Sequence, residues 1–576
     1  MSVPLKRLVF IGLLLPATLH SQQPGMTRAL DLERRGDYAA AVAAYQDVLR
    51  ARPADIAALL GLERSLLPLN RSSEILPAIR RALPAARESS ALYGIALRAW
   101  AAAGQPDSVR HIAEQWARVA PTEETPYREW GAAELGQQNR SGARAAYLEG
   151  RARLNRSDAL AAELAQLELA DGDYAGAVRE WLLAIRRLPG YRLTAVATLG
   201  QAPVQVRPEL LGILGEHTDF PARRLEAELR ARWADPAGAL GVLMPALPDD
   251  RIQSIAALRS LLDQVRALPT REGKLVQGRL LEALAHRSPE VQAGRLRLEA
   301  ARAYAAAGDQ SGARRMLGGL TDRTAGPGST SSEAAVTLVS VLIDEGKLEE
   351  AEKRLHQLRQ TVSSDQQEDL LRRLVVAWIR AGQLQRAEAM VAADSGVEGL
   401  ALSGRIRLYQ GDIKGAVERF RAAGPYTEDR TEATRRTALL ALLQPLEVDT
   451  HPALGRALLQ LERGDTTQSA AALEQLASEF PAQHGGAELN LLAGRLHAAS
   501  GNLANAERLF RAAAVPEASS TAPAAELALA ELLLTSGRPT QAVEVLEHLI
   551  LTYPQSALVP QARRRLDEAR GAVPQT

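Results

Sequence analysis

The chain has 576 residues, a formal net charge of +1, no cysteine and only 4% aromatic residues. The absence of cysteine excludes disulfides, thiolate catalysis, cysteine-ligated zinc, iron–sulfur clusters and a lipid-anchored N-terminal cysteine. A charge near zero, with arginines interleaved among acidic residues, argues against nucleic acid as a partner, since no basic stripe is available to follow a phosphate backbone.

Residues 1–21 predict a secretory signal peptide. MSVPLKR carries two cations, LVFIGLLL is a short apolar run, and ATLHS follows before Gln22. The apolar run is far shorter than the roughly 20 residues that span a bilayer, and no later segment reads as a membrane span. We therefore expect an exported, soluble mature chain with no integral membrane segment, in a bacterial periplasm and peripheral to the outer membrane. A buried N-terminal helix is the alternative.

One pattern returns along the chain. Residues 36–53 read GDYAAAVAAYQDVLRARP, and residues 172–189 read GDYAGAVREWLLAIRRLP, four steps of 34 residues later. The intermediate steps fall on Asn70, Gly104 and Gln138, which tolerate a turn or a helix end. Five units therefore keep phase without an insertion, which indicates a repeat architecture rather than separate globular domains.

Each unit predicts two helices. Gly36 can adopt the left-handed conformation that ends the first helix, and Asp37 can cap the second. Ala41 is small where the helices cross, Tyr45 fills the gap between units, and Pro53 stops the second helix. The equivalent repeat positions are Gly104, Pro121, Gly172, Ala177, Trp181 and Pro189, and near the C-terminus Gly537, Ala542 and Pro554.

These units resemble the tetratricopeptide repeat, a helix–turn–helix module of 34 residues. Further copies begin with GDQSGA, GKLEEA, GQLQRA, GDIKGA, GDTTQSA and GNLANA, at Gly308, Gly346, Gly382, Gly411, Gly464 and Gly501. The resemblance implies an all-α fold, an α-α superhelix of tetratricopeptide-like helical hairpins with roughly a dozen repeats. It also implies binding of proteins or peptides along a concave groove.

The repeat spacing suggests a domain plan. We expect a signal peptide at 1–21, five in-phase units at 22–190, degenerate helical repeats at 191–290, repeat-like units at 291–424 and C-terminal repeat-like units at 425–576. The Gly/Ser/Thr-rich stretch 324–333 predicts an exposed loop.

No motif for chemistry stands out. The sequence has no phosphate-binding loop, dinucleotide fingerprint, HExxH or GxSxG. His111 and Glu114 lie three residues apart on a predicted helix, where a solvated helix face is a simpler interpretation than a metal pair. We expect no cofactor, no metal and no catalytic residue.

Three arginines form the candidate binding site. In the resembled family, positions five and nine of each first helix face the concave groove, and here these positions include Arg64, Arg98 and Arg128. Guanidinium recognises carboxylate bidentately, so an acidic peptide or a chain's C-terminus is a candidate ligand. The alternative is that arginine is simply abundant. The Lys-Asn-Asn-Lys-Arg carboxylate set of some family members is absent, since Leu30 and Gly61 occupy positions where it requires asparagine.

The sequence therefore predicts a non-catalytic scaffold that holds other proteins together in a cell-envelope complex, with outer-membrane or secretion components as partners. Residues 530–569 resemble repeats of periplasmic envelope proteins such as the outer-membrane assembly lipoprotein and the division coordinator of the Tol system. An alternative is a periplasmic subunit of polysaccharide export or biosynthesis machinery that works with a separate outer-membrane protein. An enzyme with its cleft in the repeat array is a third.

Overall fold

The computed structural model describes residues 24–321, 329–358, 361–424 and 430–572. These residues form 32 α-helices, five short 3-10 helices and one isolated antiparallel bridge between Asp412 and Thr450, with no strand among them. The predicted all-α class of stacked helical hairpins is confirmed. The predicted signal peptide lies outside the described residues. The chain divides into two compact units, Met1–Leu280 and Leu281–Thr576, whereas the finer domain plan stays a prediction.

The first unit begins with five hairpins. Its helices are α1 (Pro24–Arg34), α2 (Tyr38–Ala51), α3 (Ile56–Leu66), α4 (Leu76–Ala82), α5 (Ser90–Ala102), α6 (Pro106–Val119), α7 (Thr125–Gly136), α8 (Arg140–Leu154), α9 (Ala161–Asp171), α10 (Tyr174–Arg187), α11 (Arg192–Leu199), α12 (Arg207–Gly215), α13 (Phe220–Arg232), α14 (Pro236–Ala246), α15 (Arg251–Arg266) and α16 (Arg271–His286), which contains the division. Short 3-10 helices are Ser72–Ile75, Pro189–Tyr191 and Val204–Val206.

The second unit continues the same pattern. Its helices are α17 (Glu290–Ala306), α18 (Gln310–Leu317), α19 (Thr330–Asp344), α20 (Leu348–Gln357), α21 (Ser364–Arg380), α22 (Leu384–Val391), α23 (Val397–Gln410), α24 (Ile413–Ala423), α25 (Arg430–Leu443), α26 (Pro452–Glu462), α27 (Thr466–Ala477), α28 (Gly486–Ala499), α29 (Leu503–Ala513), α30 (Ala522–Thr535), α31 (Pro539–Thr552) and α32 (Val559–Ala572). Short 3-10 helices are Ala482–His484 and Pro516–Ala518. Within each hairpin we call the two members the first helix and the second helix, and the surface carried by successive first helices of one unit the first-helix face.

The turns inside the hairpins use left-handed backbone. Gly36 has a φ of +77°, and Asn70 and Gln138 at the equivalent positions have φ values of +59° and +60°. Glycine enters this region without the steric penalty that a Cβ atom brings. The other predicted turn glycines also have positive φ: Gly104, Gly172, Gly308, Gly346, Gly382, Gly411, Gly464, Gly501 and Gly537. The repeat signature in the sequence is therefore a series of backbone turns.

The aspartate after the turn glycine caps the second helix. The Asp37 carboxylate accepts a hydrogen bond from the Ala40 N–H at 3.2 Å, and Asp173 accepts one from the Gly176 N–H at 2.7 Å. Such a cap satisfies one of the free N–H groups in the first turn of a helix and contributes about 1 kcal/mol to stability.

Aromatic rings of second helices pack against glycines of first helices. Tyr45 on α2 is fully buried, and its ring occupies the space where a Cβ atom at Gly61 on α3 would lie. Tyr147 on α8 fills the equivalent space beside Gly131 on α7. The predicted role of Tyr45 between neighbouring hairpins thus depends on a partner without a side chain.

The other repeat positions lie in two environments. Ala41, Ala177, Trp181 and Ala542 are fully buried. The prolines stand just beyond the ends of second helices: Pro53 after α2, Pro121 after α6, Pro189 after α10 and Pro554 after α31. Proline lacks the N–H that a continuing helix needs, so it suits these exits.

The loop predicted at 324–333 is wrong in its last residues. Helix α19 begins at Thr330, and residues 324–328 lie outside the described residues. The Ser329 hydroxyl accepts a hydrogen bond from the Ser332 N–H at 3.2 Å. The serines that suggested a loop therefore start a helix, because serine favours the cap as much as the turn.

We expect Gly131→Ala to destabilise the protein by about 1–3 kcal/mol, since the new methyl group would meet the buried Tyr147 ring. Gly136→Ala, in the same helix but with no atom within 4 Å of the added Cβ, is the matched control and should be neutral or stabilising by up to about 1 kcal/mol. Urea denaturation, monitored by tryptophan fluorescence, measures the free energy of unfolding of both variants. Equal midpoints for the two variants would contradict this account of the packing.

Candidate functional site

The three candidate arginines lie on consecutive first helices of the first unit, and each is bound by a glutamate of a neighbouring hairpin. Arg64 on α3 makes a bidentate pair with Glu33 on α1, with Nε–Oε1 at 2.7 Å and Nη2–Oε2 at 3.1 Å. Arg98 on α5 does the same with Glu63 on α3, at 2.7 and 2.9 Å. These forks join adjacent hairpins along the first-helix face.

Arg128 on α7 also pairs with a glutamate of an adjacent hairpin, but this glutamate belongs to the following hairpin and not to the preceding one. Its Nε lies 2.5 Å from Oε1 of Glu163 on α9, and its Nη2 lies 3.0 Å from Oε2 of Glu124. The three arginine side chains remain 55%, 46% and 39% exposed in chain order. A ligand carboxylate would therefore reach them from solvent, in competition with the glutamates.

The glutamate partners are functional neighbours that the sequence analysis did not identify. Each lies roughly one repeat from its arginine, 31 residues for Glu33 and 35 residues for Glu63 and Glu163. A search for acidic residues at repeat spacing would have found them. Similar pairs recur in the second unit: Arg302 with Glu333, Arg508 with Glu474, Arg538 with Glu507, and Arg565 with Glu531.

These arginine–glutamate pairs shift the pKa values of their side chains. The hydrogen bond from Arg64 lowers the pKa of the Glu33 carboxyl below its ordinary value, although burial acts in the opposite direction. The hydrogen bond to Glu63 correspondingly raises the pKa of Arg98. Exposed pairs of this kind are each worth about 0–1 kcal/mol, because water screens them.

A denser ionic cluster lies in the second unit, around Glu462 at the end of α26. Its carboxylate forms an ion pair with Arg405, whose Nη2 lies 2.8 Å away, and it accepts hydrogen bonds from Arg380 Nε at 3.2 Å and Arg435 Nη1 at 3.4 Å. The Tyr409 hydroxyl donates a further hydrogen bond at 3.2 Å. Only 7% of the Glu462 side chain is exposed.

Burial by itself would favour the neutral form of Glu462. The charges of Arg405, Arg435 and Arg380 outweigh that effect and hold the pKa of Glu462 below its ordinary value. Arg405 stands six residues before the turn glycine Gly411, the phase that Arg64 and Arg98 have in their own repeats. Its position in the repeat therefore also marks Arg405 as a candidate site residue in the sequence.

The histidines form no metal site in the described part of the chain. His111 Nε2 lies 2.8 Å from the Gln115 amide nitrogen, while Glu114 pairs with Arg110 at 3.2 Å, so the two predicted neighbours bind elsewhere. No group of three or more possible ligands among His, Cys, Asp and Glu occurs across the described ranges. Within those ranges, no helix combines the length and the apolar character needed to cross a bilayer.

Comparison with known families identifies repeats near the C-terminus. Models described as tetratricopeptide repeat match residues 453–482 and 498–566. The chain therefore contains tetratricopeptide repeats within residues 453–566. The matched segments span α26, α27, α29 to α31 and the first part of α32, and they contain left-handed turns at Gly464, Gly501 and Gly537. Repeats of this family mediate binding between proteins and are generally not catalytic.

Two solved structures share similarity with the chain at low identity. The structure of Naa15/Naa10 bound to HypK-THB has 14% identity and a TM-score of 0.20, covering 89% of this chain and 96% of that chain. The APC/C hetero-tetramer Cut9-Hcn1 has 13% identity and a TM-score of 0.21, covering 94% and 95%. Neither similarity transfers a partner or an activity to this chain. A comparison with curated proteins finds no match.

We expect Glu462→Gln to destabilise the protein by about 3 kcal/mol or more, because it leaves the buried Arg405 without a full countercharge. Glu63→Gln, which breaks an exposed pair, should cost less than about 1 kcal/mol. Denaturation midpoints of the two variants measure the contrast.

The direction in which pH changes the stabilising effect of Glu462 follows from its lowered pKa. A carboxyl whose pKa is lowered in the folded state stabilises the fold above the unfolded-state pKa of about 4.3. That contribution is lost as pH falls through the folded-state pKa. The stability gap between the wild type and Glu462→Gln should therefore shrink below about pH 4.3. A gap that is constant from neutral to acidic pH would contradict the assignment.

Proposed function

We propose that the protein is a non-catalytic, exported scaffold that binds other proteins through its first-helix faces in a bacterial cell-envelope complex. The observation that carries the proposal is the first-helix face of the first unit. Arg64, Arg98 and Arg128 stand on successive hairpins with 39–55% of each side chain exposed. Packed hairpins thus present a repeated row of polar groups to a partner.

The charge distribution supports this surface as a protein-binding one. Each arginine is matched by a glutamate, so the row presents alternating donors and acceptors rather than one sign of charge. Alternating charge gives a partner register and specificity, while most exposed pairs add little affinity. The tetratricopeptide repeats at residues 453–566 support the same class of function.

Export is the second part of the proposal, and it rests on residues 1–21. We expect the mature chain to begin at Gln22 and to be recovered from the periplasm, where outer-membrane or secretion components are its partners. N-terminal sequencing of the protein from fractionated cells measures this. An intact Met1 on protein recovered from the cytoplasm would refute export and leave the scaffold to be tested separately.

Affinity purification of the tagged protein from crosslinked, fractionated cells tests the scaffold. We expect a defined set of envelope proteins, recovered in constant proportion between preparations. Recovery of the tagged chain alone, at a crosslinking level that captures a known envelope complex in the same cells, would refute the scaffold.

The arginine site makes a sharper prediction on the partners so recovered. The triple variant Arg64→Ala, Arg98→Ala and Arg128→Ala should reduce their binding and flatten its dependence on salt, because three guanidiniums are lost. Glu63→Gln should act in the opposite sense, since it releases Arg98 from its internal partner.

A matched control replaces three exposed arginines of the same unit that do not belong to first helices, Arg35 in the turn after α1, Arg118 on α6 and Arg179 on α10. It should leave binding and its salt dependence unchanged. Circular dichroism confirms that all variants fold. Equal binding by the two triple variants would show that arginine is simply abundant here.

A further inference from the structure

Helix α25 stands outside the alternation of first and second helices. The turn glycines Gly411 and Gly464 lie 53 residues apart, against 34 residues in the N-terminal units. The excess forms α25, which follows the hairpin of α23 and α24. Helix α23 nevertheless packs directly against α26, as the first helices of adjacent hairpins do elsewhere. Helix α25 is therefore an addition to the stack and not a layer of it.

Helix α25 covers a position that is open in other repeats. Arg405 on α23 has the repeat phase of Arg64 and Arg98, whose side chains are 55% and 46% exposed, yet only 4% of the Arg405 side chain is exposed. Arg405 Nη1 lies 3.5 Å from Oε1 of Glu432, in the first turn of α25. A carboxylate of the added helix thus occupies the place where a ligand carboxylate would meet this arginine.

The first half of α25 is held by charge more than by apolar contact. Its sequence from residue 430 to residue 437, RTEATRRT, contains one apolar side chain, an alanine, and its one buried residue is Arg436. Arg435 reaches Glu462 of α26, with Nη1 3.4 Å from Oε2. The buried leucines, Leu442 and Leu443, lie at the far end of the helix.

The ion pairs that hold the first half of α25 can be weakened by salt or by a competing carboxylate. An ion pair with a solvent-exposed member weakens as salt shortens the screening length, whereas apolar contacts do not, and 43% of the Arg435 side chain is exposed. The leucine end of α25 would stay packed under conditions that release its charged end. A second carboxylate that binds Arg405 would compete with Glu432 for the same donors.

We propose that α25 is an internal occupant of the first-helix face formed by α23 and α26, and that an acidic segment of a partner protein displaces its charged half by replacing Glu432 on Arg405. The partner half of this proposal rests on the proposed scaffold function. The occupancy of the face by α25 rests on two ion pairs, of Glu432 with Arg405 on α23 and of Arg435 with Glu462 on α26.

Hydrogen exchange of the full chain tests the occupancy. We expect the amides of residues 434–437, the first in α25 with acceptors inside the helix, to exchange about tenfold faster when salt is raised from about 0.05 M to about 1 M, while those of α23 keep their protection. The double variant Glu432→Gln and Arg435→Gln should show the faster exchange already at low salt. Glu418→Gln, an exposed charge change on α24, is the control and should behave as the wild type. Exchange in α25 that responds neither to salt nor to the double variant would overturn the proposal.

A blocked, fluorescently labelled hexaglutamate peptide tests the displacement. By anisotropy at low salt, Glu432→Gln should bind the peptide about tenfold more tightly than the wild type, because the internal competitor has lost its charge. Adding Arg405→Gln to that variant should remove the gain, and Glu418→Gln should not differ from the wild type. Saturating peptide should also speed exchange of the amides of residues 434–437 in the wild type.

Equal affinity of the wild type and Glu432→Gln, or no binding by either, would overturn the displacement. This failure is distinct from a failure of the scaffold. The crosslinking experiment asks whether any partner binds the protein, whereas the peptide and exchange measurements ask what covers Arg405.

Discussion

The structure depends on a steric constraint between neighbouring helices. An isolated hairpin has too little interior to bury its own apolar residues, so each must approach the next closely. That approach succeeds where an aromatic ring meets a residue without a side chain, as Tyr45 meets Gly61 and Tyr147 meets Gly131. A low aromatic content is sufficient because each thin layer needs only one or two large rings.

Charge follows the same one-repeat periodicity as the packing. The net charge of +1 comes from many arginines whose partners are glutamates one hairpin away, such as Glu33 for Arg64. Most of these pairs are half exposed and give register more than stability. The cluster around Glu462 differs because it is buried, and there the removal of one charge leaves another uncompensated. Arginine–glutamate pairs are thus exposed on the first-helix face of the first unit, whereas in the second unit they bind helix α25 to α23 and α26.

The agreement between sequence and structure is greatest where a residue acts on its own backbone. The turns at Gly36 and Asn70 and the cap at Asp37 follow from steric and hydrogen-bonding preferences that span three or four residues. The prediction fails at Ser329, because a serine-rich run starts a helix as readily as it forms a loop. Helix α25 was missed although the long interval before Gly464 was visible, since an interval does not say whether it holds a loop or a helix.

The hairpins, their turns and their caps could be predicted from the sequence, because each depends on residues close together in the chain. The repeat spacing also predicts that Arg64, Arg98 and Arg128 lie on successive first helices. The residues that those arginines bind could not be predicted in this way, since their partners come from the adjacent hairpin and depend on how closely the layers pack. The same holds for the difference between Arg405, which is buried, and Arg98, which stands at the same phase of its repeat and is 46% exposed. Burial of a side chain is a property of everything that packs over it, and the local sequence does not contain that information.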